Sequence, residues 1–325
     1  MHTEQSIGTQ LVIGFMPAAI MFYGLLNNDL ILIPIGFVLA IVMLVMSLRE
    51  KDDYTLETAD DAYYNEGDPV MTDAEYDTMK RQNPTEKVGA PVVGGEKHMT
   101  RMLSLSNAID KDELRDFFNR TQSIVGACEF MIEPKIDGLA LNLTYSGGSL
   151  QSAVTRGDGV KGKVVTDKVR HIVPETIGMD TVEIRGEIYL EKPALAALNE
   201  GRAACGLARY KTCQSAATAT LMHESAAICE ARGIKFVAYD MGDSKYAMDK
   251  SQVGIVESLK RMKFKTLEHS KVRTFDGMLR AAKRIHSETK LPSDGSVIKV
   301  MSLKQQSAIG NTKQCPKWAI AWKGQ

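Results

Sequence analysis

Six consecutive residues, Glu133-Pro134-Lys135-Ile136-Asp137-Gly138, set a lysine between two stretches that read as strands. A lysine can act as a nucleophile only if its ammonium loses a proton near neutral pH. Burial and neighbouring cations supply that condition by lowering the pKa. Two further lysines stand at strand ends: Lys299 in Asp294-Gly295-Ser296-Val297-Ile298-Lys299 and Lys323 in Trp318-Ala319-Ile320-Ala321-Trp322-Lys323. Converging on Lys135, they would depress its pKa and also neutralise a phosphate. Glu187, in Arg185-Gly186-Glu187, has the oxygens to hold a ribose hydroxyl or a magnesium ion. Taken singly each signal is weak, because a K-x-D-G run occurs by chance and a strand-edge lysine is ordinarily solvated. Their joint occurrence in this order carries the weight.

Strands dominate around these residues. Phe130 to Glu133 reads as one, and Leu139, Leu141, Leu143 and Tyr145 alternate with smaller or polar residues in the next. Ser146-Gly147-Gly148 makes a hairpin turn, and Leu150 to Thr155 returns. Further strands are expected at Val182 to Leu190, Lys235 to Tyr239, Ser296 to Val300 and Trp318 to Trp322. Helical patterns cover Lys51 to Gln82 with a break at Gly67-Asp68-Pro69, then Lys111 to Thr121, Pro193 to Cys205, and most of Gln252 to Lys290. Thr72 and Glu75 form a capping box for a helix carrying Asp73, Tyr76 and Asp77. Residues 83–100 are rich in Pro and Gly and read as a linker. Mixed strands and helices with hairpins predict an α+β fold rather than a doubly wound sheet.

The formal net charge is zero, which argues against strong non-specific binding to nucleic acid. Its distribution is uneven. Glu50 to Met79 holds eleven acids and one lysine, while Lys250 to Lys290 holds eleven Lys or Arg and four acids. These are either solvated helix faces or an acidic front module and a basic rear surface suited to phosphates. The five cysteines form no C-x-x-C pair, which speaks for buried free thiols rather than structural zinc.

The N-terminus differs from the rest. Leu11 to Leu26 and Leu30 to Leu48 are nearly all apolar and uncharged, separated by Asn27-Asn28-Asp29. They predict a transmembrane helical hairpin over residues 11–48, against the alternative of a hairpin buried in a soluble core. Arg49 and Lys51 follow, so the bulk of the chain is expected in the cytoplasm, membrane-anchored if the hairpin spans and simply cytoplasmic if it does not.

Further segments join the lysine motifs: Tyr63-Tyr64, Asp73-Ala74-Glu75-Tyr76-Asp77, Met102-Leu103-Ser104-Leu105-Ser106-Asn107-Ala108, Thr155-Arg156-Gly157-Asp158-Gly159 and Phe236-Val237-Ala238-Tyr239. From about Tyr63 to Lys323 the series resembles the NAD-dependent DNA ligases of bacteria and their phages, motif by motif and in family order. The resemblance implies a nucleotidyltransferase adenylation domain with ATP-grasp-like mixed antiparallel sheets. It implies that Lys135 attacks the α-phosphate of NAD, forms a lysyl-AMP and releases nicotinamide mononucleotide. Glu133, Asp137, Arg156, Glu187, Lys299 and Lys323 would line the adenylate site, with Ser104 and Leu105 at its edge and Tyr239 near the adenine or in the core. Tyr63, Asp73, Tyr76 and Asp77 would grip the nicotinamide half, and that module is what points to NAD rather than ATP. Magnesium is expected with the nucleotide, and nicked double-stranded DNA as the partner. The implied division is 1–50 hairpin, 51–100 front module and linker, and 101–325 adenylation domain.

Four departures from the family pattern matter. Tyr64 stands where the family usually has His, and Gln214 and Met222 stand where arginines are usual. Gln keeps a donor but no charge, and Arg209 or Lys211 are the candidates to compensate. The family continues beyond the last lysine motif into an oligonucleotide-binding barrel and further modules, whereas this sequence ends two residues after Lys323. Self-adenylation is then expected to survive, with nick sealing weak or dependent on a separate chain supplying a barrel. The hairpin is not a family feature. Two other readings follow: a self-adenylating enzyme that does not seal DNA, and a non-catalytic, membrane-anchored NAD-binding module.

Overall fold

The structure, a computed structural model, describes residues 55–62, 71, 73–83 and 94–324. All of these but Thr55 belong to one unit, Leu56–Gln325. In chain order the strands are β1 (Glu96–Lys97), β2 (Ser106–Ala108), β3 (Phe130–Ile136), β4 (Leu139–Ser146), β5 (Ser149–Thr155), β6 (Lys161–Gly162), β7 (Val182–Tyr189), β8 (Lys235–Met241), β9 (Ser270–Val272), β10 (Ser293–Val300) and β11 (Ala319–Trp322). They form a five-stranded sheet in the order β2-β11-β10-β3-β9, a four-stranded sheet in the order β5-β4-β7-β8, and the small pair β1-β6. All pairs are antiparallel except β11 with β2.

Strand alternation decides what each sheet offers to either side. On β3, Phe130 and Ile132 pack into a core with Ile298 and Val300 of β10, Leu114 and Phe117 of helix Lys111–Val125, and Met278 and Ile285 of helix Phe275–Glu288. Glu133 and Lys135 lie on the opposite face of the same strand. The four-stranded sheet backs onto the larger core, where Leu141, Leu143, Tyr145, Ile184 and Ile188 meet Leu259 of helix Gln252–Arg261.

Two glycines of the chemical motifs are required by geometry. A Cβ at Gly138 would collide with the backbone oxygen of Ile188 and press on the Glu187 side chain, so this glycine lets β4 approach β7 beside the candidate site. Gly157 has φ +56°, in the left-handed region, and a Cβ there would strike the backbone at Lys161.

Several elements differ from the sequence expectation. The helix beginning at Lys111 runs on to Val125, because Asp110 caps its start and Gly126, at φ 71°, ends it. The basic stretch is two helices, Gln252–Arg261 and Phe275–Glu288, with β9 between them; Ser251 and Thr274 each cap a new start. Helix Cys213–Met222 has eight of its ten residues buried, so its sequence carries no apolar stripe that marks a helix. All five cysteines are free.

The transmembrane hairpin requires correction. Residues 11–48 lie outside the described residues, and among the described residues no helix is long and apolar enough to cross a membrane. What stands is the mixed fold of two sheets and their helices; the hairpin, the membrane-anchored localisation and the membrane as a partner are withdrawn.

Candidate active site

The two sheets contribute opposite walls of a cleft of about 1050 Å³. From the five-stranded sheet come Glu133 and Lys135 on β3, Lys299 on β10, and Lys323 just past β11. From the four-stranded sheet come Glu187 on β7 and Tyr239 on β8, with Arg156 in the turn after β5. Ser104 and Leu105 lie on its border, and Tyr76 lines it as well. Asp137 lies next door, in a polar pocket of about 110 Å³ that it shares with Lys135, Arg156, Glu187 and Gln214. Of the remaining expected residues, Asp73 and Asp77 fall on helix Asp73–Gln82, and Tyr63 lies outside the described residues.

The lysines do converge, but not as bare cations. Lys135 Nζ donates to both oxygens of Asp294, each at 2.9 Å. Lys323 Nζ reaches the same carboxylate at 3.3 Å. Lys299 Nζ pairs with Glu133 at 2.5 Å, donates to the backbone oxygen of Tyr239 at 3.3 Å, and sits 5.5 Å from the centre of that ring. Lys299 and Lys323, expected to converge on Lys135, are each paired with a carboxylate. Asp294 was the residue not singled out in the sequence. Its signal was present, as the first residue of the run that ends in Lys299.

Burial pushes the Asp294 carboxyl up, but Lys135 and Lys323 outweigh it and hold the group below the usual carboxylate range. Burial raises Glu133 against the pull of Lys299. Glu187 is pushed up to about 8, first by burial and then by Asp137 and Asp294, against Lys135 and Arg156. The Tyr239 phenol is likewise raised by burial and by Glu187. Glu187 is thus biased toward its proton-bearing form at neutral pH, which can donate to a hydroxyl or a phosphate oxygen.

A pH prediction follows. Below the ordinary Glu value of about 4.5, Glu187 is protonated folded or unfolded; between there and about 8 the folded chain holds its proton more tightly. Stability contributed by this group is therefore full below that window and lost as pH rises through about 8. Thermal melts across the window should fall more steeply for the wild type than for Glu187→Gln, which has no proton to lose. Parallel curves would refute the assignment.

Tyr76 has a second task. Its hydroxyl donates to Asp60, and Lys80 Nζ donates to that hydroxyl at 2.9 Å while lying 3.8 Å from Asp60. Tyr76 and Asp60 are both buried, so this trio ties helix Asp73–Gln82 to helix Leu56–Asp61.

The two altered arginine positions part company. Gln214 is buried on the wall of the small pocket beside Lys135, whereas Met222 packs against the larger core. Arg209 and Lys211 are exposed, and neither lines the pocket.

The family model described as "NAD-dependent DNA ligase adenylation domain" matches residues 94–325. Curated relatives include a DNA ligase of Roseobacter denitrificans, 35% identical over 299 residues, covering 82% of this chain and 42% of the relative. A DNA ligase of Bradyrhizobium diazoefficiens is 32% identical, again covering 82% of this chain and 42% of the relative. One of Jannaschia is 34% identical and covers 82% and 40%. The chain thus spans less than half the length of these relatives, all of them bacterial; nothing in them points to a phage. Among solved structures, the ATP-dependent DNA ligase of bacteriophage T7 in complex with ATP has a TM-score of 0.36 and 11% identity, covering 67% of this chain and 66% of that one, too distant to bear on the site.

Proposed function

This chain belongs to the NAD-dependent DNA ligase adenylation domain family, and on that footing we propose that Lys135 takes AMP from NAD as the first step of sealing nicks in duplex DNA. The Lys135 ammonium, released from Asp294, first gives one proton to solvent water in the cleft. Its Nζ lone pair then forms the bond to the α-phosphorus as the bond from phosphorus to the bridging oxygen breaks, and nicotinamide mononucleotide leaves with that electron pair. The observation that carries this reading is the position of Lys135: partly exposed on a cleft that also holds Lys323, Arg156 and Glu187. Lys323 and Arg156 offset phosphate charge, and Glu187 donates to the nucleotide.

Glu133, Asp137, Lys299, Ser104 and Leu105 form the rest of the adenylate site. Tyr63, Asp73, Tyr76 and Asp77 take the nicotinamide half, in a front module over 51–100 followed by the adenylation domain over 101–325. Among the described residues no three His, Cys, Asp or Glu side chains could hold a metal by themselves. Magnesium needs less: it keeps several waters and takes one or two carboxylates beside substrate phosphates. Glu187, on the cleft wall, would hold the ion in place of its proton, as the alternative to donating to the nucleotide, and the ion would supply charge neutralisation at the reacting phosphate. Nicked duplex is the acceptor of the AMP. A separate barrel-bearing chain has no support and forms no part of the reading.

The test is donor choice. Incubated with magnesium and adenylate-labelled NAD or ATP, the protein should become covalently labelled from NAD alone and discharge the label on nicked duplex. Labelling from ATP alone, or from neither, would overturn the reading.

A further inference from the structure

Residues 98–105 run as a strap from one sheet to the other before entering β2. The His98 N–H donates to the Val160 oxygen at 3.0 Å, the Met102 N–H to Gly159 at 2.9 Å, and the Ser104 N–H to Gln314 at 2.8 Å. Between these ties the strap is held by one carboxylate. Glu183 on β7 accepts from the Met99 N–H at 2.8 Å, from the Thr100 N–H at 3.1 Å, and from the Thr100 hydroxyl. Asn142 Nδ2 completes its shell at 2.6 Å. Arg185, on the same face of β7 two residues on, donates to the Thr100 carbonyl at 2.9 Å and lies 3.8 Å from Glu183.

Glu183 is only 2% exposed. A carboxylate is costly to bury unless its oxygens are used, and three of the hydrogen bonds to this one come from the strap. Two residues beyond Arg185 on the same strand stands Glu187, in the cleft. One row of β7 thus reaches from the adenylate site to the anchor of the strap, and the strap delivers Ser104 and Leu105 to the cleft border.

We infer that Glu183 is a positioning residue for nucleotide binding: it touches no reacting atom, and it fixes the strap that completes the cleft. The inference rests on the adenylation reading above. In Glu183→Gln the new amide would turn an N–H toward the Thr100 N–H or the Met99 N–H, two donors face to face, and the strap loses half its anchor. In Thr100→Val the hydroxyl bonds to Glu183 and Arg185 go, while the carboxylate keeps its backbone donors.

The experiment follows covalent labelling of the full chain from NAD in single turnovers, reading the half-saturating NAD concentration and the limiting rate separately. Glu183→Gln should raise the half-saturating concentration about tenfold and leave the limiting rate within about twofold, the pattern of lost binding with intact chemistry. Thr100→Val should move it the same way by a smaller factor, and it decides the matter alone if Glu183→Gln does not fold. An unchanged half-saturating concentration in a folded variant overturns the inference, as does an equal fall in the limiting rate and in its ratio to that concentration. A wild type that takes no label from NAD fails the adenylation reading itself, and the inference falls with it.

Discussion

Lys135→Ala will yield a folded protein that acquires no AMP from NAD. The fold should tolerate the change because the side chain is partly exposed at the end of β3, and its pair with Asp294 is of the partly solvated kind that adds little stability. Asp294 also keeps Lys323 as a partner. The chemistry should not tolerate it, since removing an attacking atom costs at least ~10⁴-fold where nucleophiles have been deleted in other enzymes. Lys135→Arg separates two roles the alanine variant confounds. Its guanidinium can still pair with Asp294, but it does not deprotonate and so cannot attack. Intact mass after incubation with NAD should show one added adenylate on the wild type and none on either variant, while titration calorimetry still detects NAD binding to the arginine form. An adenylate on Lys135→Ala would move the nucleophile elsewhere, with Lys323 the nearest alternative through their shared carboxylate.

That pairing also shows where the sequence stops being informative. Lys135 and Lys299 were legible from their motifs at strand ends, and Glu133 from the family resemblance. Asp294 was not, because its importance arises from register: β10 lies against β3 with Gly295 opposite Lys135 and a bulge between Ser293 and Gly295, which sets Asp294 beside the ammonium. No spacing rule connects residues 135 and 294 without that pairing. Glu183 and Thr100 are hidden in the same way, joined only once the strap crosses β7. Gln214 was visible as a departure, yet only the fold separates it from Met222: one lines a pocket beside Lys135 and the other packs, half-buried, against a core. The basic stretch read as mostly helical, and what divides it into two helices is local capping at Thr274 and β9 pairing with β3, features weaker in sequence than the density of Lys and Arg.

Lys299→Met should cost far more stability than Lys135→Ala, although both remove one lysine from the same cleft. Lys299 and Glu133 are 7% and 4% exposed and 2.5 Å apart, so water cannot replace the lost partner. Truncating one member of a buried pair strands the other charge, typically at ~3–5 kcal/mol. The Tyr239 backbone oxygen loses the Lys299 donor as well. Glu133→Gln should also destabilise, leaving the ammonium stranded. The double variant Glu133→Gln with Lys299→Met should recover much of the loss, because the amide and the thioether bury no charge. The deficit of Lys299→Met should also depend on pH. Burial already raises the Glu133 carboxyl, with Lys299 the main force pulling it back down. Without Lys299 the folded chain binds that proton more tightly than the unfolded chain does. Its stability is then retained in acid and lost as pH rises above the ordinary carboxylate range. Urea unfolding of the four forms, run at mildly acid and at neutral pH, measures both effects. Additive single losses, or a Lys299→Met deficit that does not shrink in acid, would mean that the pair is not the coupled buried unit its geometry describes.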